Sequence, residues 1–407
     1  MPIPLTFAGV LAILIALGCA LLMARDGWTR AYYFVMFVVH SILCFGFWGL
    51  SLTERTDSQL YYRVAEWTDT IGLGTDFISY LTGLLRRAFD ISYLDGFLFF
   101  QIPGLVGLIL LHKAAVRMSA EGFETRVIML GFLLFLPGLQ FWTTPIGKDG
   151  LAICAFGLIA YALAHRPFHW TPLIAGTLLY FMVRPHVAFV LVLAMALAFL
   201  PIFGQSTPRA RFAGVGAAVT FVLMLPFVFL FVGIEEAGIA GVADFVAHRQ
   251  ALGFRGGSAV DLADLSVFER VLTLWFRPFF IDASGIAALF ASIENLVLVA
   301  IFGYLLYHAR LMLRLLSVSE VLRFHLFFIV ILTAIFSQTI GNLGLALRQK
   351  MMMVPALLLL FAAVTAFLNR KREAAQEKIM TAIRERIDEA NSIERIDEAG
   401  SVARTER

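Results

Sequence analysis

The sequence predicts an all-α fold, a polytopic transmembrane helical bundle, and three observations predict it. Of the 407 residues, 60% are apolar and only 15% charged, against roughly 45–50% and about 25% in soluble domains. Mean hydropathy is +0.84. The apolar residues, 39 phenylalanines among them, gather into stretches approaching the roughly 20 residues that cross a bilayer. Together these exclude a water-soluble enzyme, a disordered scaffold and an outer-membrane barrel, whose strands alternate apolar with polar.

Eleven such stretches are expected as spans, at about 4–24, 31–52, 94–112, 127–145, 150–165, 168–183, 187–203, 212–233, 284–307, 324–341 and 351–369. No Lys or Arg precedes the first run, so it reads as a retained helix and not a cleaved leader. The chain divides into a transmembrane domain, 1–369, with long outer loops at 53–93 and 234–283, and a charged tail, 370–407. The tail holds nine Lys/Arg and nine Asp/Glu, a composition for a solvated helix or a disordered segment.

Short-loop charges set the orientation. Arg25/Arg30, Lys113/Arg117/Arg126, Arg166, Arg209/Arg211, Arg310/Arg314/Arg323 and Arg370/Lys371/Arg372 fall on alternate loops, 14 positives in all. The intervening short loops carry four: Lys148, Arg184, Arg348 and Lys350. The first set belongs inside, which puts the N-terminus outside and the tail in the cytoplasm. In the long loops, Asp76–Phe89 and Asp264–Phe280 carry apolar residues at helical spacing and read as amphipathic interfacial helices. Cys19, Cys44 and Cys154 lie in apolar runs and have neither disulfide-framework nor zinc-site spacing.

Charge at membrane depth is costly and marks function or pairing. Here the compact polar groups fall on the outer face: Thr56–Arg63, Gly147–Gly150, Arg184-Pro185-His186, His248-Arg249, Arg277-Pro278 and Asn342–Lys350. Lys148, Arg184, Arg249, Arg277, Arg348 and Lys350 supply cations suited to a phosphate-bearing substrate. Asp57, His186 and His248 are the candidate catalytic groups. Tyr61, Arg63, Asp149 and Asn342 join the cations as candidate substrate contacts. The structural alternatives are that Lys148 and Asp149 neutralise each other, that Asp57 caps a helix, and that the arginines are interfacial anchors. His40 reads as a hydrogen-bonded structural histidine. Glu294-Asn295 reads as pairing with a neighbouring helix or lining a path, and Gln101, Gln140 and Gln338 as interhelical glue. No serine-hydrolase elbow, zinc-protease motif, Walker loop or dinucleotide fingerprint is present, and no basic block points to nucleic acid.

Asp57-Ser58-Gln59-Leu60-Tyr61-Tyr62-Arg63-Val64-Ala65 resembles the Asp-x3-Tyr-x3-Ala pattern in the first outer loop of GT-C-type membrane glycosyltransferases. Phe141-Trp142-Thr143-Thr144-Pro145 with Lys148-Asp149, then Arg184-Pro185-His186, looks like membrane proteins of bacterial polysaccharide clusters, akin to EpsG-like and Wzy-like polymerases. Asn342 to Pro355, with Arg348-Gln349-Lys350, is similar to their late arginine motif. The resemblance covers the span pattern and four short motifs. It implies a glycosyltransferase or polysaccharide polymerase of the bacterial inner membrane, using a polyprenyl (di)phosphate-linked sugar donor on the outer face. Asp57 would act at the acceptor and the late arginines at the phosphate. The expected partners are the lipid bilayer, the lipid-linked sugar and other polysaccharide-assembly proteins. Many GT-C enzymes carry a second acidic residue beside the first; Ser58 stands there in this chain, which puts a divalent metal in doubt and leaves no cofactor expected. Two other classes fit the composition: a transporter or flippase of lipid-linked or anionic solutes, and a non-catalytic subunit of an envelope assembly.

Overall fold

The computed structural model describes residues 5–119, 127–129, 131–133, 136–165, 167–202, 204, 206–232, 265–283, 285–339 and 341–405. All the elements among them are helices. In chain order they are α1 (Phe7–Leu22), α2 (Gly27–Thr53), α3 (Asp57–Val64), α4 (Thr75–Phe89), α5 (Tyr93–Met118), α6 (Pro137–Trp142), α7 (Lys148–Leu163) and α8 (Trp170–Val183). Then follow α9 (Pro185–Phe199), α10 (Pro208–Val232), α11 (Val267–Phe276), α12 (Ile286–Tyr307), α13 (Ala309–Val318), α14 (Glu320–Thr339), α15 (Leu343–Lys350) and α16 (Val354–Thr405).

Among the described residues, six helices are long and apolar enough to cross a membrane: Gly27–Thr53, Tyr93–Met118, Pro208–Phe227, Ile286–Tyr307, Glu320–Thr339 and Val354–Glu385. The expected count of eleven is therefore not established. Four of the expected spans are shorter helices: α1 and α7 at 16 residues, α9 at 15 and α8 at 14. At 1.5 Å per residue these reach roughly 21–24 Å, short of a hydrocarbon core of about 30 Å. The charged tail continues the helix of the last apolar stretch, because α16 runs unbroken from Val354 to Thr405.

The bundle is organised around α5, which packs against α1, α2 and α7. Its contact with α7 depends on glycine. A β-carbon on Gly107 would lie 2.6 Å from the Ile153 carbonyl, and one on Gly157 2.6 Å from the Gly107 carbonyl. Small residues let membrane helices approach backbone to backbone. Higher on the same seam, a β-carbon on Gly150 would lie 2.6 Å from the Thr143 carbonyl. That close fit draws the start of α7 and its acidic residue into the bundle. Helix starts are set locally: Asp26 and Ser92 form capping boxes with Thr29 and Asp95, and Asp95 also accepts from the Thr6 hydroxyl at 2.8 Å, tying α1 to α5.

His40, Gln140 and Gln338 make the structural contacts expected of them, whereas the buried Gln101 side chain, expected to join helices, has no hydrogen-bond partner. His40 is fully buried, with Nδ1 2.7 Å from Gln140 and Nε2 3.1 Å from the Gln101 carbonyl. Gln338 accepts from Arg270 at 2.8 Å, linking α11 to α14. The two loop helices both form, α11 shorter than expected. In α4 the fully buried residues are Ile78, Ser79, Thr82 and Gly83, Phe77, Leu81 and Leu85 pack partly buried against the core, and Leu84 and Phe89 face outward. Gly83 allows the close approach: its α-carbon sits so near the Ala65 carbonyl that a β-carbon there would approach to 2.6 Å.

The glycine seam makes a direct prediction. Gly157→Leu should lower stability by about 1–3 kcal/mol, the usual cost of overpacking, read as an earlier unfolding midpoint in detergent. Gly131→Leu, where a β-carbon meets nothing within 4 Å, should leave that midpoint unchanged.

Candidate functional site

Four charged side chains from four parts of the chain meet at one end of the bundle. Asp57 is the first residue of α3 and Asp149 the second of α7. Arg184 is the single residue between α8 and α9, where Pro185 prevents one continuous helix. Arg348 lies in the last turn of α15. They form a chain of alternating charge. Arg184 donates to Asp149 Oδ1 at 2.5 Å, Arg348 Nε to Asp149 Oδ2 at 2.7 Å, and Arg348 to Asp57 Oδ2 at 2.6 Å. The indole of Trp142 lies under the Arg348 guanidinium, 5.8 Å from ring centre to the guanidinium carbon.

Burial differs sharply along the chain. The Asp149 side chain is 8% exposed and that of Asp57 54%. Burial alone would raise the Asp149 pKa, but Arg348 and Arg184 outweigh it and hold the carboxyl below the ordinary range. Arg348 in turn is held protonated chiefly by Asp149, then by Asp57. Tyr61, one helical turn after Asp57, is buried beside them, and burial followed by the Asp57 charge pushes its hydroxyl pKa up. Lys148 donates to the Thr75 hydroxyl at 3.0 Å. Burial and the nearby Arg184 and Arg348 push its pKa down to about 8. Two arginines and two aspartates cancel, so Lys148 leaves the group one positive charge in excess. The buried Nε of Arg184 has no hydrogen-bond partner.

A narrow cleft of about 20 Å³, open in part to solvent and with room for little more than one water molecule, lies between Asp149 and Trp142, Tyr180, Phe156, Met351 and Met352. Its upper end is polar and its walls apolar. A second cleft, about 40 Å³, lies at the opposite end of α5 among Arg25, His112, Lys113, Arg117 and His165. Three of the cations expected on the inner side thus gather at the end away from Asp149.

Several candidates from the sequence stand elsewhere. Lys148 and Asp149 do not neutralise each other, since Asp149 is taken by two arginines. Asp57 does not act as a cap: Thr56 holds the cap position, and the Asp57 carboxylate is turned to Arg348. Lys350 is fully buried and donates to Asn295 and to the Trp275 carbonyl, so it is not a surface cation. Arg277 is engaged by Asp282 through two hydrogen bonds, at 2.9 and 3.0 Å. Asn342 caps α15 by accepting from the Leu345 amide at 2.7 Å. Arg63 is exposed, two residues past Tyr61 and so on another side of α3. His186 is half-buried in the first turn of α9. His248 and Arg249 lie outside the described residues.

Three residues at the site were missed. Tyr180 stands one turn before Arg184 and shares its face, a spacing that was readable. Trp142 was seen only as part of a motif. Thr75 has no sequence signal, because its contact with Lys148 spans 73 positions. Among the described residues no group of three His, Cys, Asp or Glu side chains is placed to hold a metal ion. Comparison with known proteins finds no matching family model, no matching curated protein and no matching solved structure. What stands is an all-helical chain of membrane-spanning character with a buried ion-pair chain at one end.

The two aspartates should separate on substitution. Asp149→Asn leaves two arginines facing a neutral amide in a buried site and should cost about 3–5 kcal/mol. Asp57→Asn, at the exposed end, should cost about 0–1 kcal/mol. Unfolding in detergent measures both.

Proposed function

We propose that the site transfers a sugar from a polyprenyl phosphate or diphosphate donor to a hydroxyl acceptor at the outer face of the bacterial inner membrane. The observation that carries this reading is the chain Arg184–Asp149–Arg348–Asp57 beside Lys148, at the mouth of an apolar cleft. Two arginines preset by one buried carboxylate form a rigid fork for phosphate oxygens. The unpartnered Arg184 Nε and the charge excess at Lys148 favour a third anion. The cleft's polar mouth and apolar walls match a charged head and a greasy tail in character, and it would have to widen to take the tail.

In this reading the donor phosphate competes with Asp57 for Arg348. The exposed carboxylate is the partner more easily displaced, and displacement frees it as a general base. The acceptor oxygen then attacks the anomeric carbon while its proton passes to Asp57. The carbon–oxygen bond to phosphate breaks, and its electron pair leaves with the phosphate. Arg184, Arg348 and Lys148 stabilise the charge that gathers there, usually the largest contribution in such catalysis. Chain polymerisation is the favoured form of the reaction, and the site faces the periplasm with the tail in the cytoplasm.

The direct test uses purified protein with a lipid-linked sugar donor. Asp57→Asn should fold and lose about 10²-fold or more of product formation, the loss expected without a general base. Arg348→Ala should cost roughly 2–4 kcal/mol of transition-state stabilisation, with Arg310→Ala at the other end of the bundle near wild type. Full activity in a well-folded Asp57→Asn variant would remove the base assignment.

Lys148 predicts a pH dependence of definite sign. Its pKa of about 8 lies below the ordinary lysine value, so it is charged below that pH and neutral above it. Donor affinity should therefore fall as pH rises from 7 to 9. Lys148→Arg, which cannot deprotonate in this range, should abolish the fall; an unchanged profile in that variant would mean Lys148 does not contact the donor.

A further inference from the structure

Beneath the site lies a second polar group that the mechanism does not use. Glu294 and Asn295 are consecutive residues of α12, and both are buried. They face two different elements. Asn295 accepts from the fully buried Lys350 ammonium, which also donates to the Trp275 carbonyl at 3.4 Å. The Asn295 amide nitrogen donates in turn to the Pro278 and Phe276 carbonyls, at 2.6 and 3.2 Å, just beyond and at the end of α11. Glu294 accepts from the Gly138 amide at 3.0 Å, in the first turn of α6. There a carboxylate is favoured by the helix dipole. The fit is close enough that a β-carbon on Gly138 would lie 2.5 Å from Glu294 Oε2. The other carboxylate oxygen, Oε1, is buried without a hydrogen-bond partner, and Glu294 and Lys350 are near enough to feel each other's charge.

Both elements end at the site. Lys350 is two residues beyond Arg348 on α15, so the side chain that anchors the helix and the one that reaches the aspartates leave the same turn on different sides. α6 ends in Trp142, the ring beneath the Arg348 guanidinium. One point on α12 therefore holds the helix that carries Arg348 and the helix that carries its platform.

We propose that Lys350 is a positioning residue: anchored by Asn295 and facing Glu294, it fixes α15 so that Arg348 reaches Asp57 and Asp149 together. A neutral side chain of similar length releases that end of α15. Burying an ammonium in a bundle of this composition is costly unless it is paired and hydrogen-bonded, and a methionine there would pack without an anchor. The inference rests on the reading of Arg348 as a phosphate contact for its effect on turnover, but not for its effect on where α15 sits.

The test separates those two parts. In a full-length background with Cys19, Cys44 and Cys154 replaced by alanine, spin labels are placed at Leu60→Cys on α3 and Gly344→Cys on α15. Both positions are exposed, and a β-carbon on Gly344 meets only Asn342 Oδ1, at 3.6 Å. A control pair joins Leu60→Cys to Leu178→Cys on α8, also exposed. Lys350→Met should broaden or shift the 60–344 distance distribution and leave the 60–178 distribution unchanged. Turnover should fall about 10²-fold, as for loss of a charge-stabilising donor, and Lys350→Met with Arg348→Ala should be no slower than Arg348→Ala alone. Lys350→Gln, shorter and still a donor, takes its place if Lys350→Met does not fold. An unchanged 60–344 distance overturns the proposal, as does equal broadening of both pairs, which would make Lys350 a general stability element. A changed 60–344 distance with full turnover upholds the positioning role and instead overturns the reading of Arg348 as a donor contact.

Discussion

The constraint on which the site depends is the burial of Asp149. A carboxylate taken out of water must find charge or hydrogen bonds, and Asp149 finds two guanidiniums from distant parts of the chain. Each requirement fixes something large. Arg184 can reach it only if the chain breaks between α8 and α9, which Pro185 enforces. Arg348 can reach it only if the short helix α15 lies across the end of the bundle. Asp149 itself is inside because Gly107, Gly150 and Gly157 let α5 and α7 close to backbone contact. The cost of one buried charge is thus converted into the relative placement of four elements.

The two aspartates divide the labour that a single carboxylate cannot perform. A buried carboxylate held by two arginines is a fixed counter-charge and a poor base, since its pKa is held down. An exposed one on the outer side of the same arginine can be exchanged for a ligand at little cost. Arg348 is the joint between them, with its Nε committed to Asp149 and its outer nitrogen to Asp57. A site built this way keeps its cations in place without ligand and yet offers one replaceable partner.

Much of this was legible before any geometry. Composition determined the membrane class. Of the wider set expected on one face from loop charges and helix ends, Asp57, Lys148, Asp149, Arg184 and Arg348 come together, whereas Arg63, Arg277, Asn342 and Lys350 do not. What was not legible shares a cause. Lys350 sits two positions from Arg348 in sequence, but helical geometry sends the two in different directions, one to Asp57 and Asp149 and one into the bundle. Asp149 and Lys148 are adjacent and of opposite charge, yet on a helix neighbours in sequence do not face each other. The count of eleven spans is left unestablished for a different reason: apolar runs separated by Arg166 or Arg184 read as full crossings, whereas the helices they form are shorter than a typical span.

The arrangement also explains why the charge excess sits on a lysine. Arg184 and Arg348 are held in place by carboxylates as fixed charges. Lys148, with its flexible stem and a pKa near 8, is the one cation of the group whose charge responds to what stands beside it. In the proposed reading an arriving anion would restore its proton at pH values where the empty site has lost it, so binding and protonation would reinforce each other. The fixed pair would then define where the anion sits, and the titratable lysine would make affinity depend on the charge the ligand carries.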